Sequence, residues 1–225
     1  MKAVFEFTKT GDMIYISHLD LGRLFLRVLR MSGLRPAYSQ GFNPHPKMSF
    51  AMPLSLGIHS VCEILEFETE GHSVSLDIVN DRLPDGVRVT SWREKPEIIT
   101  KPLASLVTAA SYEYMCEGIT EAPSLLESFF KRESVTVQKT DKKTGTQNPK
   151  DIREEMLDYR IIKDMRGRML AEATLSAMPG KTLNPLVFFG AFCESSGIDK
   201  ESLSPVITRT AILGADSKPL KEVLQ

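Results

Sequence analysis

A capped amphipathic helix near the start of the chain limits what the rest can fold into. Leu21, Leu24, Phe25, Val28 and Leu29 recur at helical spacing and share one face. Ser17-His18-Leu19-Asp20 is a capping-box pattern, in which hydroxyl and carboxylate satisfy orphaned amides at a helix start. Gly33 supplies the stop, and Pro36 prevents re-entry. A helix with one apolar face must lie on another layer, and Lys2–Thr8, with Phe5 and Phe7 on one side, supplies a strand for it.

The opposite face carries Arg23, Arg27 and Arg30. Such arginines are either a solvated surface or an anion site. Between Ser17 and Phe50 there are five Lys/Arg and one acid, Asp20. A face built for solubility mixes signs, whereas clustered arginines suit phosphate. The helix runs into Tyr38–Lys47 (YSQGFNPHPK), where Gly41 allows unusual backbone and Pro44 and Pro46 stiffen both sides of His45. This loop is either a rigid turn, with His45 bonded to backbone, or a binding element.

Ile16–Asp20 (ISHLD), the arginine helix, Tyr38–Lys47 and Leu54–Gly57 (LSLG) resemble the radical-SAM-linked protein family. Weaker matches are Lys150–Arg153 (KDIR) and Thr208–Ala211 (TRTA), so the likeness covers most of the chain. In that family the domain stands alone or follows a radical SAM module on one chain. The resemblance therefore implies a context, and a separately encoded radical SAM enzyme as partner, without naming a reaction. Gly22, inside the helix, departs from good helix chemistry and points to close packing.

Further along, Met13–Ile16 reads as an extension of the first strand. Met48–Leu54 and Cys62–Thr69 read as strands, with Cys62 and Ile64 inward and Glu63, Glu66 and Glu68 outward. Val74–Leu83 reads as a helix and Val87–Arg93 as a strand. The order is βαββαβ, a ferredoxin-like unit over residues 1–96. Lys95–Pro102 is the expected boundary. Residues 103–225 repeat the plan: strand Leu106–Met115, helix Pro123–Arg132, strand Val135–Lys139, the pair Met156–Ile162 and Arg168–Leu175, helix Asn184–Ser195 and strand Val206–Leu213. The expected class is α+β, two tandem ferredoxin-like units with antiparallel sheets. The Tyr159/Met169 hairpin could instead be an extra ribbon, and Gly214–Gln225 frays or forms a short helix.

Asp141–Asp151 reads as a polar loop, within a basic segment at residues 139–153; from Lys131 to Arg153 there are seven Lys/Arg and three acids. It is either a flexible solvated loop or a basic arm that closes over a polyanion held by the first domain.

Among 225 residues, 28 Lys+Arg face 29 Asp+Glu, so any anion site is a local patch, not a basic coat. Cys62, Cys116 and Cys193 are odd in number and far apart, which suits reduced thiols in a cytoplasm. No signal peptide is visible, and no apolar run approaches a membrane span.

The chain lacks C-x3-C-x2-C, C-x2-C, H-x3-H, a P-loop and G-x-G-x-x-G, so no metal or cofactor is expected. His59 and His72 read as surface residues; His18 and His45 belong to the central stretch. Three readings follow. The first is a non-catalytic RNA-binding or substrate-presenting partner of a radical SAM enzyme. In it Arg23, Arg27 and Arg30 meet phosphates, Tyr38, Phe42 and Asn43 meet bases, and Gln40, His45 and Lys47 complete the RNA- or anion-binding set. The second is a metal-independent RNA endonuclease, like those that process CRISPR RNA, with His18 or His45 as acid or base. The third is a protein–protein adaptor that never meets nucleic acid. Oligomeric state is left open.

Overall fold

The computed structural model describes residues 1–70, 74–119, 122–140, 144–165 and 168–224. His72 lies outside them. The fold is α+β, with antiparallel strand pairs and five α-helices among the described residues. Contacts divide the chain into one unit of Met1–Val107 with Arg209–Gln225, and a second of Thr108–Thr208.

In the first unit the order is β1 (Lys2–Lys9), α1 (His18–Met31), β2 (Met48–Phe50), β3 (His59–Glu68), α2 (Leu76–Asn80) and β4 (Val87–Glu94). β1 lies between β3 and β4, and β2 pairs with the other side of β3, all antiparallel. Alternation along β1 sends Ala3, Phe5 and Phe7 into a core that receives Leu21, Phe25, Val28 and Leu29 of α1. Each such side chain stabilises the fold by about 1.5–3 kcal/mol when fully buried. Phe7 meets Phe25 edge to face at 4.7 Å. Arg23, Arg27 and Arg30 point outward, as the spacing requires.

Four expectations change in this unit. Met13–Ile16 does not extend the first strand: Gly11–Tyr15 forms a 3-10 turn, and the carbonyls of Ile14 and Ile16 face a buried lysine instead of a neighbouring strand. β2 ends at Phe50, and the carbonyls of Met52 and Pro53 accept hydrogen bonds from Arg209. Glu63 is buried, 2% exposed, because it pairs with that arginine. The helix expected over Val74–Leu83 shortens to Leu76–Asn80, capped by Ser75, with Val79 buried. The segment after β4 also stays with this unit. Glu66 accepts from Lys95 Nζ at 2.6 Å and from Leu103 N at 2.9 Å, and Leu103 is buried, so the division falls at Val107. A short helix, Leu220–Val223, anchored by buried Leu220, ends the chain in the same unit.

The second unit contains β5 (Ala109–Glu117), α3 (Ala122–Phe130), β6 (Thr136–Thr140), β7 (Gln147–Asp151), β8 (Met156–Met165), β9 (Arg168–Ser176) and α4 (Pro185–Ser195). β10 (Val206–Leu213) carries the chain back, its residues from Arg209 onward belonging to the first unit. β9 lies between β5 and β8. Phe129, Phe188 and Phe192 cluster edge to face, joining α3 to α4. The extra ribbon is β6–β7, a separate two-stranded sheet, and the Met156–Ser176 hairpin belongs to the main sheet. Residues 147–151, read as loop, are therefore strand. Among the described residues no helix is long and apolar enough to cross a membrane.

Candidate nucleic-acid interface

The start of α1 is built by its own sequence. Ser17 Oγ accepts from Asp20 N at 3.1 Å, and the hydroxyl donates to Asp20 Oδ2 at 2.7 Å. Arg23 Nη1 donates to Asp20 Oδ1 at 2.8 Å. The Ser17 hydroxyl, then the Arg23 guanidinium, hold the Asp20 carboxyl below its usual range. The one acid of the stretch is thus spent on the cap and on Arg23. Arg27 and Arg30 follow on the exposed face, Arg23 to Arg30 spanning about 10 Å of helix.

Tyr38–Lys47 is a small hairpin, not an open loop. Tyr38 pairs with Pro46, Ser39 N donates to His45 O at 2.8 Å, and Lys47 N donates to Ala37 O at 2.8 Å. His45 N donates to the side-chain Oγ of Ser39 at 2.9 Å. The tip is Gln40, Gly41, Phe42 and Asn43, all exposed. Gly41 has φ +121°, which favours glycine. Phe42 has no cover at all, at 112% relative exposure.

Arg30 joins helix to hairpin. Its Nη2 donates to the Tyr38 hydroxyl, and its guanidinium carbon lies 5.9 Å from the centre of the Tyr38 ring. Lys47 turns elsewhere, to Glu68 Oε2 at 2.8 Å. His18 and His45 are not assembled as an acid–base pair. His18 starts α1 and packs on Phe50 at 4.9 Å, whereas His45 lies on the hairpin that Arg30 contacts near the other end. From His18 to Arg30 the helix rises about 18 Å. His59 is half-buried at the start of β3.

The sequence reading missed a buried charge cluster. Arg209 Nη1 donates to Glu63 Oε1 at 2.9 Å, and Arg209 also holds Met52 O and Pro53 O, the latter at 2.6 Å. Lys9 Nζ holds Ile16 O at 3.0 Å and Ile14 O at 3.4 Å. Burial pulls the Lys9 ammonium down, Glu63 opposes this, and Arg209 adds to it. Two buried cations therefore fasten the two segments leading into α1 and out of β2, which meet where Gly57 N donates to Ile14 O at 3.1 Å. Tyr15, Leu19 and Leu56 are exposed at this end of the unit. The signal available was a lysine and an arginine within strand patterns, which carries no partner information.

Both weaker motifs have structural duties. In Thr208–Ala211 it is Arg209 that makes the cluster. In Lys150–Arg153, Lys150 pairs with buried Glu155 at 2.6 Å, and Asp151 Oδ1 accepts from Val135 N and Arg153 N. Arg153 Nε donates to Arg132 O at 3.0 Å. Lys131 pairs with Glu127 and Arg132 holds Ser195 O, so Lys131, Arg132, Lys150 and Arg153 are committed within the second unit. Lys139 is exposed.

A cleft of about 570 Å³ opens in the first unit among Lys2, Glu68, Glu94, Lys95 and Glu97. Its mixed signs make it a poor polyanion site. Among the described residues no group of three or more His, Cys, Asp or Glu could hold a metal ion.

Fold and surface together define an α+β protein with a cationic helix face joined to an aromatic-tipped hairpin. The chain belongs to the family described as "Uncharacterized protein conserved in bacteria (DUF2344)", which matches residues 2–185. No curated protein matches the sequence. The fold resembles a chain in the crystal structure of a Cbf5-Nop10-Gar1 complex, with TM-score 0.51 and 8% identity, over 93% of this chain and 48% of that one. The chain thus spans about half the length of that structure, and at this identity the likeness concerns fold alone.

Proposed function

We propose that this protein is a non-catalytic RNA-binding module that presents RNA to a separately encoded radical SAM enzyme in the cytoplasm. The observation that carries the RNA reading is the Arg30–Tyr38 contact. It joins Arg30, the last arginine of the row, to the hairpin that holds Phe42 into solvent, which supports reading row and hairpin as one surface. Arginines neutralise phosphates, and exposed aromatic rings stack on unpaired bases. The radical SAM partnership rests on the resemblance of ISHLD, YSQGFNPHPK and LSLG alone. Each unit is read as ferredoxin-like: the first has strand order β4-β1-β3-β2, and the second has a β6–β7 insertion between α3 and β8.

The endonuclease reading loses ground because His18 packs on Phe50 at the start of α1, whereas His45 lies on the hairpin that Arg30 contacts near the other end of that helix. The adaptor reading draws support from exposed Tyr15, Leu19 and Leu56, which are apolar groups a protein partner could cover. Ultraviolet crosslinking of purified protein to single-stranded RNA decides between RNA and adaptor. The expected crosslinks fall within Arg23–Lys47, at Tyr38 and Phe42 above all. No crosslink, or crosslinks only elsewhere, would count against the RNA reading.

A further inference from the structure

The β6–β7 ribbon is fixed at its base and bare beyond it. Val135 and Ile152 are buried and joined by Ile152 N to Val135 O at 2.9 Å. Asp151 ties the two strands' roots, and Lys150–Glu155 adds a largely buried ion pair. Past these anchors three residue pairs continue, from Gln138↔Pro149 to Thr140↔Gln147. Thr136, Gln138, Lys139, Thr140, Gln147 and Asn148 are exposed, and Gln138 lies on one face while Lys139 and Asn148 share the other. A two-stranded ribbon bared on both faces gains little from folding alone.

Its side chains narrow the occupant. Apart from half-buried Val137 the ribbon carries no aliphatic or aromatic residue except Pro149, so it lacks the apolar centre of a protein interface. Amides, hydroxyls and a lysine are the groups that contact phosphate and sugar. Paired RNA presents a wide, shallow minor groove and is recognised there through shape, phosphates and 2′-hydroxyls, contacts that polar groups on a two-stranded ribbon can make. We infer that the β6–β7 ribbon contacts the sugar–phosphate backbone of double-helical RNA, a second binding surface in addition to the single-strand surface of α1. This rests on the RNA reading of the first unit.

The test uses the whole protein with two probes, a short unpaired RNA and a paired RNA duplex. The ribbon variant combines Gln138→Ala, Lys139→Ala and Asn148→Ala, all exposed, so its melting temperature should match wild type. Its affinity for duplex should fall about tenfold, the scale of two or three lost hydrogen bonds, with unpaired RNA bound as before. An unchanged duplex affinity, an equal loss for both probes, or no duplex binding by wild type would overturn the inference. Loss of a co-purifying protein with RNA binding intact would overturn it in favour of a protein partner. Failure of wild type to bind unpaired RNA would instead strike the underlying reading.

Discussion

Arg209 donates to Glu63 across 146 residues of sequence, and both side chains are buried, at 1% and 2% exposure. Losing one partner strands the other charge in the interior. Arg209→Ala should therefore destabilise by about 3–5 kcal/mol, read by denaturant unfolding. Replacing both together, as Arg209→Met with Glu63→Leu, should recover much of that loss. If Arg209→Ala unfolds at the wild-type midpoint, the pair is not a structural tie.

Glycines 22 and 86 should respond in opposite directions. A Cβ on Gly22 would meet Phe50 at 3.9 Å and Met48 at 4.0 Å, ordinary contact distances. Gly22→Ala should stabilise by about 1 kcal/mol through helix propensity. The close packing expected at this glycine thus leaves room for a methyl. Gly86 has φ +92°, and a Cβ there would lie 2.4 Å from Thr10 O. Gly86→Ala should destabilise, and thermal melts of the two variants shifting in the same direction would contradict this.

What could be read from the sequence was local. Tyr38–Lys47 read as a stiffened loop and not as the hairpin it forms, whereas the cap, apolar stripe and stop of α1 lie within Ser17–Gly33 and were legible. Met13–Ile16 and the end of β2 were not, because their carbonyls answer to Lys9 and to Arg209, and the latter arrives from the last strand. The ribbon was hidden by composition. Gly145 and Pro149 signal a loop, yet the Asp151 carboxylate, bound by two backbone amides, holds its base.

Burial, with Glu63 beside it, pushes the Cys62 thiol up to about 12. Because this is above the free-thiol value of 9.0, the contribution to stability is intact below pH 9 and is lost as pH rises from 9 towards 12. At pH 8 Cys62 should resist iodoacetamide in the native protein and react once unfolded. Rapid native labelling at Cys62, located by mass spectrometry, would show the thiol to be accessible and ionised.

Phe42 has no cover to lose, so Phe42→Ala should leave the melting temperature unchanged. Its affinity for unpaired RNA should drop by about 1–3 kcal/mol, the value of one base stacked on an aromatic ring. Equal affinity for variant and wild type would remove the hairpin tip from the binding surface.

The most direct measurement is the salt dependence of affinity for single-stranded RNA. Each phosphate neutralised contributes about −0.7 to the slope of log affinity against log salt. Replacing Arg23, Arg27 and Arg30 together with glutamine should flatten that slope by about 2, with the fold retained, because all three project from the outer face of α1 and only the exposed Arg23–Asp20 and Arg30–Tyr38 contacts are lost. A wild-type protein that binds no RNA, or a triple variant with the wild-type slope, would contradict an RNA-binding role for this surface.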